Sequence, residues 1–241
     1  MRIQHFQRNL NGRDFAVGDI HGCFSRLQLH LDTIGFNPEC DRLFSVGDLV
    51  DRGPESDLAL EWLDKPWFHA VRGNHEDMAI RFPRGNMDTV NYVQNGGGWN
   101  VGNPRVVQQL FADYFMALPL ALDIETANGL VGIVHAECPF PSWRDFVEVL
   151  ETPELPSPLK RAILETALWA RDRINALRPD EVSDVRAVIV GHTPVERFTS
   201  LGNTLYIDTG AVFRERDFTI LNLSTLRPVD LGVRLDWEEV E

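Results

Sequence analysis

Apolar residues along the chain gather into five short runs, each ending at a small, polar or metal-ligating type of residue. Residues 15–17 lead into Gly18-Asp19-Ile20-His21, 43–46 into Gly47-Asp48, 68–71 into Arg72-Gly73-Asn74-His75, 130–134 into His135, and 187–190 into Gly191-His192. Runs this short and this rich in valine and isoleucine predict buried strands. Helical spacing follows the first three, over 24–34, 56–63 and 76–82. Strand, helix, strand, helix, strand in units of about 30 residues is the pattern of parallel β-α-β crossovers. Ligands of such sheets bind at the carboxyl ends of the strands, and each of the polar clusters above falls at such an end.

The middle of the chain is less regular. Asn95-Gly96-Gly97-Gly98-Trp99 reads as a flexible loop and 106–116 as a helix. Prolines 139, 141, 153, 156 and 158 forbid one long helix over 139–158, and helical spacing resumes over 159–174. Beyond His192 the pattern turns to short strands at 204–207, 218–223 and 232–237, which predicts a second sheet closing the fold.

Composition narrows the possibilities. A chain of 241 residues, 44% hydrophobic and 24% charged, is that of a globular protein with a sizeable core, and a single domain spanning 1–241 is expected. Thirty-six acidic against 23 basic residues give a net charge of −13, which argues against nucleic acid or an anionic membrane as partner. The first eight residues lack the apolar core of a secretory signal, and no apolar run approaches the roughly 18 residues of a membrane helix. Cys23, Cys40 and Cys138 form no Cys-x-x-Cys pair, so reduced thiols and a cytoplasmic location are expected. Nothing suggests a coiled coil, and a monomer is the default.

Asp19 and His21, two residues apart, point to one side of an extended continuation. With Asp48, Asn74, His135 and His192 from other strand ends, two aspartates, one asparagine and three histidines converge on one edge. Such a thiolate-free donor set suits Mn²⁺, Fe or Zn²⁺, and one aspartate can bridge two ions about 3.5–4 Å apart. Two bridged ions activate water for in-line displacement at phosphorus, so phosphate-ester hydrolysis is the natural reaction.

Gly18-Asp19-Ile20-His21-Gly22, Gly47-Asp48-Leu49-Val50-Asp51-Arg52-Gly53 and Gly73-Asn74-His75-Glu76 resemble the three signature motifs of the metal-dependent, calcineurin-like phosphoprotein phosphatases. The resemblance continues through His135-Ala136-Glu137, Trp169-Ala170-Arg171, Gly191-His192-Thr193-Pro194 and the segment 207–213. It covers about 14–223 and is strongest to the bacterial and phage branch typified by the bacteriophage lambda protein phosphatase. It implies an α/β fold in which a central β-α-β-α-β unit lies within a two-sheet β-sandwich flanked by helices. It also implies roles. Asp19, His21 and Asp48 would hold one divalent ion, and Asp48, Asn74, His135 and His192 a second, with Asp48 bridging and Mn²⁺ the expected metal. Arg52, Arg72 and Arg171 would bind the substrate phosphate, a task suited to the guanidinium fork. His75 would protonate the leaving alkoxide, oriented by Asp51. Substrates would be phosphorylated proteins or peptides carrying phosphoserine, phosphothreonine or phosphotyrosine, or small phosphoesters, with no phosphoenzyme formed.

The alternative is a symmetrical dinucleoside tetraphosphatase, a branch that typically has alanine at the position of Asp51 and aspartate at that of Glu76. Trp99 reads as filling an apolar gap, and Glu137 and Asp208 as carboxylate partners of ligand histidines. Cys138 and Arg144 have the Cys-x5-Arg spacing of cysteine-nucleophile phosphatases, but Pro139 and Pro141 remove the backbone N–H groups that such a phosphate cradle needs. The proline-rich segment 139–168 departs from the lambda-type pattern and is expected to border the site. The acidic stretch 236–241 reads as a solvated tail.

Overall fold

The computed structural model describes residues 2–232. Its strands are β1 (Ile3–Phe6), β2 (Asp14–Val17), β3 (Arg42–Ser45), β4 (Phe68–Ala70), β5 (Ala121–Thr126), β6 (Gly129–Val134), β7 (Ala187–Val190), β8 (Thr199–Leu201), β9 (Thr204–Tyr206), β10 (Ile220–Asn222) and β11 (Arg227–Pro228). The α-helices are α1 (Phe24–Thr33), α2 (Ala59–Leu63), α3 (Asn74–Arg81), α4 (Thr89–Gln94), α5 (Gly98–Val101), α6 (Arg105–Ala117), α7 (Trp143–Glu151), α8 (Ser157–Trp169) and α9 (Asp172–Asn175).

The strands form two sheets, in the orders β1-β5-β6-β7-β9-β8 and β11-β10-β2-β3-β4. β2, β3 and β4 run parallel, as the crossover pattern predicts. Alternation along each strand sorts the core into layers. Ala16 and Phe44 of one sheet meet Ile124, Ile133 and Ile189 of the other in the sandwich interior. Phe15, Val17 and Leu43 face outward under α1, α2 and α3, while Val134, Val188 and Val190 face α7 and α8. Both faces of both sheets are therefore covered, which is why the strands read as continuous apolar runs rather than alternating ones.

Three expectations change. The strands after His192 do not build a sheet of their own: β9 pairs parallel with β7, and β10 pairs antiparallel with β2. The five apolar runs are shared between the sheets, β6 and β7 lying in the one that lacks β2, β3 and β4. Residues 95–99 are not a flexible loop: 95–97 form the turn between α4 and α5, tied by a hydrogen bond from the Arg52 N–H to the Gly96 carbonyl, and Gly98 and Trp99 open α5. The strand expected at 232–237 and the tail 236–241 extend outside the described residues. Across 139–158 the prolines separate α7 from α8, and helical spacing after 159 breaks at Ala170-Arg171 before α9.

The two sheets present their carboxyl ends at one edge. The Gly191 N–H donates to the His135 carbonyl (2.8 Å), and His135 Nδ1 reaches the Val46 carbonyl of the other sheet (2.7 Å).

Candidate active site

At this edge the backbone turns sharply. His21, Asp48, Asp51, Arg52 and His192 all have left-handed φ, between 46° and 72°. Each costs on the order of 1 kcal/mol or more for a residue with a Cβ, and their concentration here turns five of the candidate side chains inward as the strands end. Crowding explains two glycines. A Cβ on Gly73 would stand 2.2 Å from Asp48 Oδ1, and one on Gly191 2.1 Å from Asp19 Oδ1.

Glu76 holds the turn together. It is fully buried and accepts hydrogen bonds from the N–H groups of Asp48 (2.9 Å), Leu49 (2.7 Å) and Gly73 (2.8 Å). The bond to Gly73 closes the first turn of α3, so that helix starts at Asn74 rather than at the predicted residue 76, and Asn74 and His75 ride on its N-terminus. Burial and the nearby Asp48 carboxylate push Glu76 up to about 7.

The histidines are oriented by backbone carbonyls. His21 Nδ1 donates to Val50 O (2.9 Å), His135 Nδ1 to Val46 O (2.7 Å), and His192 Nε2 to Trp169 O (3.2 Å). A neutral ring that donates through one nitrogen presents a lone pair on the other. His135 Nε2 and His192 Nδ1 each lie 2.9 Å from Asn74 Oδ1, and His135 Nε2 lies 3.4 Å from Asp48 Oδ1. Four electron-rich atoms face one another, a contact that is repulsive until a cation stands among them. This donor set fits a divalent ion, and that fit favours the lone-pair reading of these contacts. A second cluster, His21, Asp48 and His75, shares Asp48 with the group Asp48, His135 and His192. Asp19 flanks it, its carboxylate 4.0 Å from His21 Nε2 and accepting the His192 N–H (3.1 Å).

Charge follows the same geometry. Burial alone would raise Asp48, but the imidazoles of His135, His75, His21 and His192 around it hold it far below the usual carboxylate range. Asp19 is driven well up by burial and by Asp208 and Asp48, and Asp208 up to about 6 by burial and Asp48. Burial, with His135 and Arg171 adding to it, takes His192 down to about 3 and so favours the neutral, ligating ring.

Beside the clusters lies a hydrogen-bonded chain. His75 Nδ1 meets Asp51 Oδ2 at 2.7 Å, and Asp51 Oδ1 accepts the Trp99 indole N–H at 2.6 Å. Burial opposes the charged form of His75, yet Asp48 and Asp51 outweigh it and the imidazolium is favoured above its ordinary value. Arg52 spreads its fork over the site, Nη1 2.5 Å from His21 Nε2 and Nη2 3.0 Å from His75 Nε2. Arg171 stands at the rim, donating to the His192 carbonyl (3.4 Å). Arg72 is not brought in. Its guanidinium donates to the carbonyls of Met116 (2.9 Å) and Leu118 (3.4 Å) at the end of α6.

Three readings of the sequence need amendment. Trp99 does pack edge-on against Phe111 (4.8 Å between centroids), but its N–H is spent on Asp51. Glu137 accepts the Arg173 N–H (2.6 Å) and Asp208 the Gly210 N–H (2.9 Å), so neither serves an imidazole. Rings at strand ends fall beside carbonyls of adjoining chain segments, and these take the role expected of carboxylates. Ser56, whose hydroxyl receives the Asp51 N–H (2.8 Å), carried no signal beyond its nearness to the motif. Burial pushes the Cys138 thiol up to about 12, away from the thiolate that a nucleophile needs, while Arg144 pairs with Asp184 (3.0 Å).

Comparison with known proteins gives a match to the family model "Calcineurin-like phosphoesterase" over residues 15–197. The chain is 36% identical over 223 residues to serine/threonine-protein phosphatase 1 of Salmonella typhimurium, covering 88% of this chain and 95% of that one. It is 26% identical over 219 residues to the asymmetrical bis(5'-nucleosyl)-tetraphosphatase PrpE of Geobacillus thermodenitrificans, covering 82% and 85%. Among solved structures, a putative diadenosine tetraphosphatase superposes with a TM-score of 0.64 at 21% identity, covering 95% of this chain and 96% of that one, a likeness of fold.

Proposed function

We propose that this chain, which belongs to the calcineurin-like phosphoesterase family, hydrolyses phosphate monoesters on proteins, acting on phosphoserine and phosphothreonine and also on phosphotyrosine. The observation that carries the reading is the Asp51–His75 pair, a buried imidazole whose Nδ1 lies 2.7 Å from the Asp51 carboxylate and whose Nε2 lies 3.8 Å from that of Asp48. An alkoxide is a poor leaving group, and a positioned proton donor contributes about 10²–10⁴ in rate. The tetraphosphatase branch, which expels a better leaving group, typically has alanine where Asp51 stands.

Asp19, His21 and Asp48 would hold one divalent cation, and Asp48, Asn74, His135 and His192 a second, Mn²⁺ by preference with Fe or Zn²⁺ as alternatives. When bound, such a pair of ions supplies Lewis acidity that acidifies water and neutralises phosphoryl oxygen. The chain's own residues do the rest. Arg52 and Arg171 grip the phosphoryl oxygens, Arg52 through the fork that now spans His21 and His75. His75 gives its Nε2 proton to the departing oxygen, and Asp51 keeps the ring in that orientation. Three free cysteines support a cytoplasmic setting for a monomeric, single-domain enzyme.

The test is phosphate release by metal-stripped protein, with and without added Mn²⁺, from a phosphoserine peptide and a dinucleoside tetraphosphate side by side. Mn²⁺-dependent release from the peptide is expected. Cleavage confined to the tetraphosphate would overturn the reading in favour of the nucleotide branch, to which the relationship with PrpE also points.

A further inference from the structure

Arg72, left out of the catalytic edge, floors a cavity of about 380 Å³ between α3, α8 and the end of α6. Arg2, Arg81, Arg84 and Lys160 also line it, and the single carboxylate there is that of Asp77. Five cations meet one acid in a chain whose net charge is −13 and which contains only two lysines. The cavity continues into a groove of about 680 Å³ that shares Asp77, Arg81, Lys160 and Leu164 with it and runs on to Arg161, Glu165 and Trp169. The carbonyl of Trp169 is the one that holds His192 Nε2, so the groove opens toward the metal-ligand edge.

Helix capping accounts for part of this charge. Arg72 and Arg2 donate to the carbonyls of Met116 and Ala117 at the C-terminus of α6, and Arg84 Nη2 lies 2.9 Å from Met116 Sδ. A helix end presents roughly half a negative charge, less than three guanidinium groups require. Arg72 Nε is buried without a hydrogen-bond partner, and among the described residues no carboxylate forms an ion pair with Arg72, Arg84, Lys160 or Arg161. Asp77 is engaged by Arg81 at 3.7 Å.

We infer that this groove is a second anion site, which receives an acidic or phosphorylated side chain flanking the phosphoresidue under attack. The inference rests on the phosphoprotein reading above. Its register follows from α3, which begins with the site residues Asn74 and His75 and ends at Arg81. At about 1.5 Å rise per residue, Arg81 lies roughly 10 Å along the helix from Asn74, the span of about three residues of extended peptide. The segment 139–168, which departs from the lambda-type pattern, supplies Lys160, Arg161 and Leu164 to the groove.

The test has two arms, with wild type and with an Arg84→Gln, Lys160→Gln double variant whose residues lie outside the catalytic edge. In the binding arm, metal-stripped protein is titrated with labelled peptides that carry alanine at the scissile position and have glutamate, phosphoserine or alanine at the flanking ones. Wild type should bind the glutamate and phosphoserine peptides more tightly than the alanine peptide, and the double variant should lose about fivefold in that preference, as two exposed charge contacts allow. In the kinetic arm, Mn²⁺-loaded enzyme should favour phosphoserine peptides with an anion three positions away over alanine-flanked ones in KM. The double variant should lose this preference while hydrolysing p-nitrophenyl phosphate as wild type does. Equal binding of all three peptides, or a preference that survives the double variant, overturns the anion site. Selective binding without a kinetic preference overturns its assignment to the substrate flank. Selective binding by an enzyme that hydrolyses p-nitrophenyl phosphate but no phosphopeptide overturns the phosphoprotein reading instead.

Discussion

Replacing Trp99 by phenylalanine isolates one atom of the site. Phenylalanine keeps the edge-on packing against Phe111 and removes the indole N–H, leaving Asp51 Oδ1 without the donor now 2.6 Å away. Asp51 is fully buried, so water does not readily replace that donor. Burial already raises Asp51 above the ordinary carboxylate value, and the bonds from His75 and Trp99 are what oppose it. A hydrogen bond to a charged group contributes about 1.5–3 kcal/mol, which corresponds to roughly 10- to 150-fold if it is felt wholly at the transition state. The expected outcome is a fall of that order in kcat for a phosphoserine peptide, with a fall of less than about threefold for p-nitrophenyl phosphate, whose leaving group needs little protonation. Steady-state assays on Mn²⁺-loaded enzyme, paired with thermal melts, measure both. Equal losses on the two substrates, or an unchanged kcat on the peptide, would refute the claim that Trp99 acts through Asp51 and His75.

Further outcomes follow from the same geometry. His75→Asn should lower kcat on phosphoserine peptides by about 10²–10⁴ and on aryl phosphates far less, and equal losses would count against its role as proton donor. Asp48→Asn should leave the protein unable to retain two ions, so elemental analysis finding both still tightly bound would contradict the shared-ligand assignment. Asp217 is set apart from the site. Burial would raise its carboxyl, but His30 (2.7 Å) and Arg26 (2.9 Å) outweigh that and hold it below the usual value. A depressed folded-state value stabilises above the unfolded pKa of about 3.9, and the contribution disappears as pH falls through the folded value. In urea melts of metal-stripped protein, the stability gap between wild type and Asp217→Asn should therefore be widest near neutrality and narrow below about pH 4. A gap independent of pH would contradict the linkage.

Much of this protein was legible in the order of its residues. The five apolar runs are strands, the predicted helices after the first three are present, and the metal-ligating residue types stand where those strands end. These features are local: strand formation follows from short β-branched runs, and glycine beside aspartate or histidine marks where a chain can turn. Other features were set only when distant segments met. The partition of the runs between two sheets depends on pairing across as much as the β2–β10 distance, which periodicity does not encode. The left-handed backbone at His21, Asp48, Asp51, Arg52 and His192 is tolerated because packed strand ends over-determine it. Which imidazole nitrogen faces inward was decided by carbonyls of Val46, Val50 and Trp169, and whether a conspicuous arginine joins the site by the end of α6, which draws Arg72 away. Trp99, read as an apolar plug, became a donor to Asp51 because α5, which carries it, lies beside that carboxylate from 48 residues away in the chain. Residue types and their local order specify which chemistry is available; its direction in space is a non-local property, set by packing that brings together parts of the chain with no sequence relation to one another.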